Sequence, residues 1–176
     1  STPNPQMVLE NVPDGEAPEY DTEAMDILLR TRETARKILA DDSRHIEETL
    51  AIALMYGYHA QAELDGLEDV PFDPSAALAE AKSLAAPGSI DTFIAFFENL
   101  EILTADWAAR LKNPAPAPWS PIHLLLARYF VDRYWLQAVS DYDLTCRVKL
   151  MVISCLMVRL LGSDIIATAQ LYSKEI

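Results

Sequence analysis

Apolar residues recur at helical spacing along most of the chain. Ile27, Leu28, Thr31, Ala35, Ile38 and Leu39 lie three or four positions apart, which predicts a first helix starting near Asp21 or Thr22 with acids in its first turn. Asp41-Asp42-Ser43 interrupts the pattern. Ser43 is expected to cap a second helix over about 43–64, with Ile46, Leu50, Ala53, Leu54 and Gly57 on one side. Phe72-Asp73-Pro74 supplies an N-cap and a proline at the first helical position, opening a short Ala-rich third helix that stops before Pro87-Gly88. Ser89 caps a fourth around Phe93, Phe96, Phe97 and Leu100, and Thr104 starts a fifth around Trp107 and Leu111.

The alternating prolines of residues 113–118 force an extended spacer. Ser120-Pro121 then repeats the cap-and-proline signature and opens a sixth helix to about Val139. Asp141 is expected to cap a seventh, from Tyr142 to Leu161, closed by Gly162, and Ser163 starts a last one. The fold class that follows is all-α: an irregular bundle of about seven to eight helices, with the sixth and seventh, apolar on most faces, as a central hairpin. Residues 1–20 carry four prolines and no periodicity, so they read as an extended or disordered lead-in to a single helical domain over 21–176.

Composition narrows the function classes. The net charge is −13 with a pI near 4.5. Such a surface repels phosphate backbones and anionic bilayers, so nucleic acid and membrane are poor partners. The longest apolar run, Leu150–Val158, is too short for a span, and the start lacks a basic region with an apolar core; a cytoplasmic location is the expectation. Cys146 and Cys155 lie about 2.5 turns apart on one helix, face opposite sides and cannot pair; both are expected to be buried thiols.

Candidate chemistry is sparse. There is no Gly-rich phosphate loop, HExxH, CxxC or GxSxG. His45 and Glu48 stand one turn apart, but a di-metal bundle needs more carboxylates and the reverse order, so no metal site is assigned. His123 fits a packed or capping role, and Tyr56, Tyr58 and His59 fit core or a groove lining. Arg128 and Asp132, at i and i+4 in an apolar helix, are expected to pair internally. Asp141 and Asp143 sit at a helix start, where capping suffices to explain them; a carboxylate pair there could also hold a cation such as a lysine side chain or a sulfonium. Asp143 and Arg147 form a further i,i+4 pair.

The stretch Trp135-Leu-Gln-Ala-Val-Ser-Asp-Tyr-Asp143, followed by Arg147-Val-Lys149 and the apolar run to Gly162, resembles the C-terminal part of flagellin lysine N-methylases. That family carries a similar Arg-Tyr-aromatic, Lys-Ala-Val-Tyr-Asp-Gly-Asp and Lys-Val-Lys pattern. Gln170-Leu-Tyr-Ser-Lys-Glu175 resembles its Leu-Tyr-Ser-Lys-Glu segment. The likeness is clearest over residues 119–176 and faint over 21–112. It implies the helical region of a bacterial, cysteine-cluster enzyme that moves methyl groups from S-adenosylmethionine to flagellin lysines. In that family a cysteine cluster holding an iron–sulfur centre accompanies this region, and two cysteines cannot supply its four thiolates. The expectation is therefore a fragment or a homologue without the cluster. By position, Arg133, Tyr134, Asp141, Asp143, Lys149, Tyr172 and Glu175 match the family pattern. Asp141, Asp143 and Tyr134 are the candidates for chemistry, and Arg133, Lys149 and Tyr172 for binding substrate or donor. The competing expectation is a non-catalytic helical module that binds a partner protein through an apolar groove, with Phe93, Phe96, Phe97 and Trp107 as its stripe.

Overall fold

The computed structural model describes residues 19–67, 70–84 and 118–161. The expected helices around Phe93 and Trp107, the helix after Ser163, and all but the last residue of the proline spacer lie outside these, as does the lead-in before Glu19. The described residues are all-α and contain no strand. They form five helices of ten residues or more, not seven to eight: α1 Thr22–Ala40, α2 Ile46–Leu64, α3 Pro74–Ser83, α4 Pro121–Tyr134 and α5 Leu144–Leu161.

Local signals set most of the starts. Asp21 caps α1, its carboxylate accepting from the Ala24 amide at 3.1 Å, with Glu23 in the first turn and Lys37 in the last, both favourable to the helix dipole. Asp73 caps α3 by accepting from Ser75 N at 3.0 Å, and Pro74 stands where no amide is needed. At α4 the Nδ1 of His123 accepts from the Ser120 amide at 3.0 Å, taking the part that Glu or Gln plays in a capping box.

α2 starts at Ile46, later than the sequence predicts. Asp41 accepts from Ser43 N at 2.9 Å and holds Arg44 at 2.8 Å, and this Asx turn takes Ser43 out of the capping position, leaving His45 there. α2 is also the central helix. Its residues 49–54 are buried without a break, and it touches each of the other four helices. The core cluster draws on α1, α2, α4 and α5 together, so α4 and α5 do not stand apart as a central apolar hairpin. Gly57 marks a close approach of α2 to α5. A Cβ built there would lie 2.7 Å from both methyl carbons of Val148 on α5.

α4 stops at Tyr134, short of Val139. A 3-10 turn, Trp135–Gln137, and a four-residue helical turn, Ala138–Asp141, make an elbow before α5. The buried Trp135 indole N–H donates to Thr31 Oγ1 at 3.1 Å, which fastens the elbow to α1.

Candidate functional site

The candidate residues Asp141 and Asp143 sit at this elbow, which closes at Tyr142. Its φ is 58°, and among the described residues it is the one non-glycine with positive φ. The left-handed region costs an L-residue about 1–2 kcal/mol, so contacts must hold it there. The Tyr142 amide donates to Ala138 O at 2.7 Å. Gln61, in the last turn of α2, donates from Nε2 to Tyr142 O at 2.7 Å, and its Oε1 accepts from Leu144 N at 2.7 Å and Thr145 N at 3.1 Å. One amide side chain thus satisfies the elbow's last carbonyl and the first free amides of α5. The Tyr142 hydroxyl donates to Asp21 Oδ2 at 2.9 Å, so the acid that caps α1 also anchors the elbow. That bond pushes the Tyr142 phenol up, while the Ala24 amide, foremost, and Tyr142 hold Asp21 down.

Both elbow carboxylates already do structural work. Asp141 receives Arg147 in bidentate fashion, Nη1 to Oδ1 at 2.8 Å and Nη2 to Oδ2 at 3.0 Å. It also accepts from Asp143 N at 3.1 Å. The hydrogen bonds from Arg147 hold the Asp141 carboxyl below the usual range. Asp143, not Asp141, caps α5: its Oδ1 accepts from Cys146 N at 2.9 Å and Thr145 Oγ1 at 3.1 Å. The expected Asp143–Arg147 side-chain pair is replaced. Arg147 takes the carboxylate of Asp141 and the backbone oxygen of Asp143, the latter at 2.6 Å, because the left-handed turn swings Asp141 over the start of α5.

The other candidates sit in separate small groups. Arg133 Nε donates to the Tyr134 hydroxyl at 3.1 Å, and its guanidinium lies 5.5 Å from the centre of that ring. The Lys149 ammonium lies 5.8 Å from the Tyr58 ring centre on α2. Tyr172 and Glu175 lie outside the described residues. The cleft beside the elbow, lined by Trp135, Arg147 and Met151 among others, holds about 10 Å³, no more than a water.

The remaining polar candidates are explained by packing. Arg128 pairs with Asp132 at 3.1 Å as expected, and Asp132 also takes Arg36 of α1 at 2.7 Å. Glu48 pairs with Lys82 of α3 at 3.0 Å. Tyr56 is buried among His59, Phe72 and Trp135. His123 is fully buried beside Trp119, and burial lowers its pKa. Among the described residues, no three His, Cys, Asp or Glu side chains cluster as a metal would need.

The cysteines differ from expectation in one respect. Cys146 is exposed, whereas Cys155 is buried with its thiol pushed up to about 12 and donating to His123 O. Opposite faces of α5 give them no shared cluster to bind, so these two residues do not fit an iron–sulfur centre.

Gln61, Arg32 and Arg159 are among the polar residues the sequence pattern passes over; Arg159 is 5% exposed, with its guanidinium 4.4 Å from the centre of the Trp119 ring. Arg32 sits on the buried face of α1 at 1% exposure, with its Nε and Nη1 unmatched by a hydrogen-bond acceptor. No protein-family model, curated protein or solved structure matches the chain.

Proposed function

We propose that this chain is the helical region of a flagellin lysine N-methylase-like protein, serving methyl transfer from S-adenosylmethionine to protein lysines. The observation that carries the reading is the backbone of Tyr142. The family's Lys-Ala-Val-Tyr-Asp-Gly-Asp pattern lays its glycine on this position, and Tyr142 is the residue that adopts the left-handed conformation glycine favours (φ 58°).

In this reading the exposed elbow holds the substrate. Asp141 and Asp143 face solvent and present negative charge to a lysine ammonium. Asp141, kept acidic by Arg147, stays ionised but shares its charge with that guanidinium, so Asp143 supplies the larger part of the attraction. The amine must lose a proton before it attacks the sulfonium methyl, and a carboxylate held this acidic does not take it, so another group is the base. The ring of Tyr134 already receives Arg133, which a sulfonium would have to displace. The clefts described here, about 200 Å³ and 10 Å³, are smaller than the roughly 300 Å³ at which pockets for drug-sized ligands such as S-adenosylmethionine begin. The described helices are thus assigned substrate docking rather than the donor pocket.

The second reading, a non-catalytic interaction module, rests on the stripe of Phe93, Phe96, Phe97 and Trp107, which lies outside the described residues. Calorimetric titration of the chain with unmethylated flagellin separates the two. The methylase reading expects saturable binding that Asp141→Asn/Asp143→Asn weakens about tenfold and that lysine acetylation of flagellin weakens likewise. Asparagine keeps the cap at position 143 and one acceptor for Arg147 at position 141 but gives up the bidentate ion pair, so helical circular dichroism of the variant is compared with the parent. Binding indifferent to both changes would overturn the lysine-holding role and favour the module.

A further inference from the structure

At the far end of α1, roughly 25 Å along its axis from the elbow, a cleft of about 200 Å³ opens between the C-terminal turns of α1 and the starts of α2 and α3. Its floor is apolar, made by Ile38, Ile52 and Pro74. Its rim carries Lys37 and Arg44, with Asp41 as the one acid. Asp41 is committed: it binds Ser43 N and the Arg44 guanidinium. Lys37 is exposed and has no ion-pair partner among the described residues. Thr49, 2% exposed, also lines the cleft. With Arg44 paired to Asp41, Lys37 is the uncompensated charge on the lining of this apolar site.

We propose that this cleft binds a small carboxylate with an apolar body, the body on Ile38, Ile52 and Pro74 and the carboxylate between Lys37 and Arg44. Size fits the class. An apolar cavity of about 150 Å³ takes a benzene ring, so 200 Å³ takes a ring or a short branched chain with its carboxylate at the mouth. The Arg44 guanidinium is already oriented, reaching Asp41 from Nη1 and Ser75 Oγ, at 3.5 Å, from Nη2. The Thr49 hydroxyl offers a further donor from the wall.

The test is an NMR titration of the whole chain with sodium benzoate, with benzamide as its uncharged twin. The expected result is one saturable site with Kd on the order of 1 mM, amide shifts centred on residues 34–52 and 73–75, and benzamide weaker by about tenfold. Lys37→Gln, at an exposed position, should narrow the gap between the two ligands while leaving the helical signal unchanged. Three outcomes would each overturn the proposal: no saturation, equal binding of benzoate and benzamide, or shifts centred elsewhere.

Discussion

The close approach of α2 and α5 at Gly57 supports a quantitative prediction. A Cβ at this position would meet Val148 Cγ1 and Cγ2 at 2.7 Å and Val148 Cβ at 2.9 Å, where ordinary carbon contacts lie near 3.5–4.0 Å. Val148 is β-branched, short and 2% exposed, and the cleft it lines holds only about 10 Å³, so it has little room to move. Relieving the overlap means pushing the helices apart, at about 1–3 kcal/mol. Alanine in mid-helix recovers roughly 0.8–1 kcal/mol of propensity over glycine. Gly57→Ala should therefore destabilise the protein by about 1 kcal/mol, although an exposed glycine changed in the same way would gain stability. Val148→Ala alone should cost about 2 kcal/mol through the space it empties. The new methyl at position 57 partly fills that space, so the double variant should be more stable than the sum of the singles by about 1–2 kcal/mol. Urea unfolding followed by helical circular dichroism, at constant m, reads all four corners of the cycle. A Gly57→Ala protein as stable as the parent, or strictly additive costs, would refute the packing argument.

Three further expectations follow from the same contacts. Tyr142→Gly should unfold at higher urea than Tyr142→Ala, since both lose the bond to Asp21 but glycine alone is at ease at φ 58°; the reverse order would mean the elbow does not hold this conformation. Burial lowers the His123 pKa from its ordinary 6.5, so the unfolded chain takes up this proton first. The contribution of His123 is therefore complete above pH 6.5 and is lost as pH falls below it; His123→Gln, whose amide oxygen can still accept from Ser120 N, should flatten the fall in stability relative to the parent, and parallel profiles would refute this. A thiol reagent at neutral pH should label Cys146 promptly and Cys155 only after unfolding, because one is exposed and the other is buried with its pKa near 12; equal labelling would contradict that placement.

What the sequence made legible was local. Asp21, Asp73-Pro74 and Ser120-Pro121 announce helix starts because a cap is chosen by the residues within its own turn. The all-α class followed from spacing for the same reason. What stayed hidden depends on distant partners. Ser43 loses its cap to the side chain of Asp41, and α4 ends early because Trp135 turns to reach Thr31 on α1. The central place of α2 could have been suspected from its unbroken run Leu50-Ala-Ile-Ala-Leu54, which is apolar on every face. The elbow was the hardest part. Its backbone needs glycine but carries Tyr142, and its clamp, Gln61, lies more than eighty positions earlier, with nothing in the local pattern to single it out. The pairing of Asp141 with Arg147 rather than Asp143 with Arg147 follows from that backbone and not from helical spacing. Buried Arg32 likewise gave no signal, for it falls within a polar-looking Arg-Thr-Arg-Glu stretch of α1.

The most direct test of the methylase reading is transfer of labelled methyl groups from S-adenosylmethionine to flagellin by the natural protein that carries this chain. The account expects label on flagellin lysines, and a fall of about tenfold or more in Asp141→Asn/Asp143→Asn with helical content unchanged. No transfer by the parent protein, or equal transfer by the variant, would contradict it.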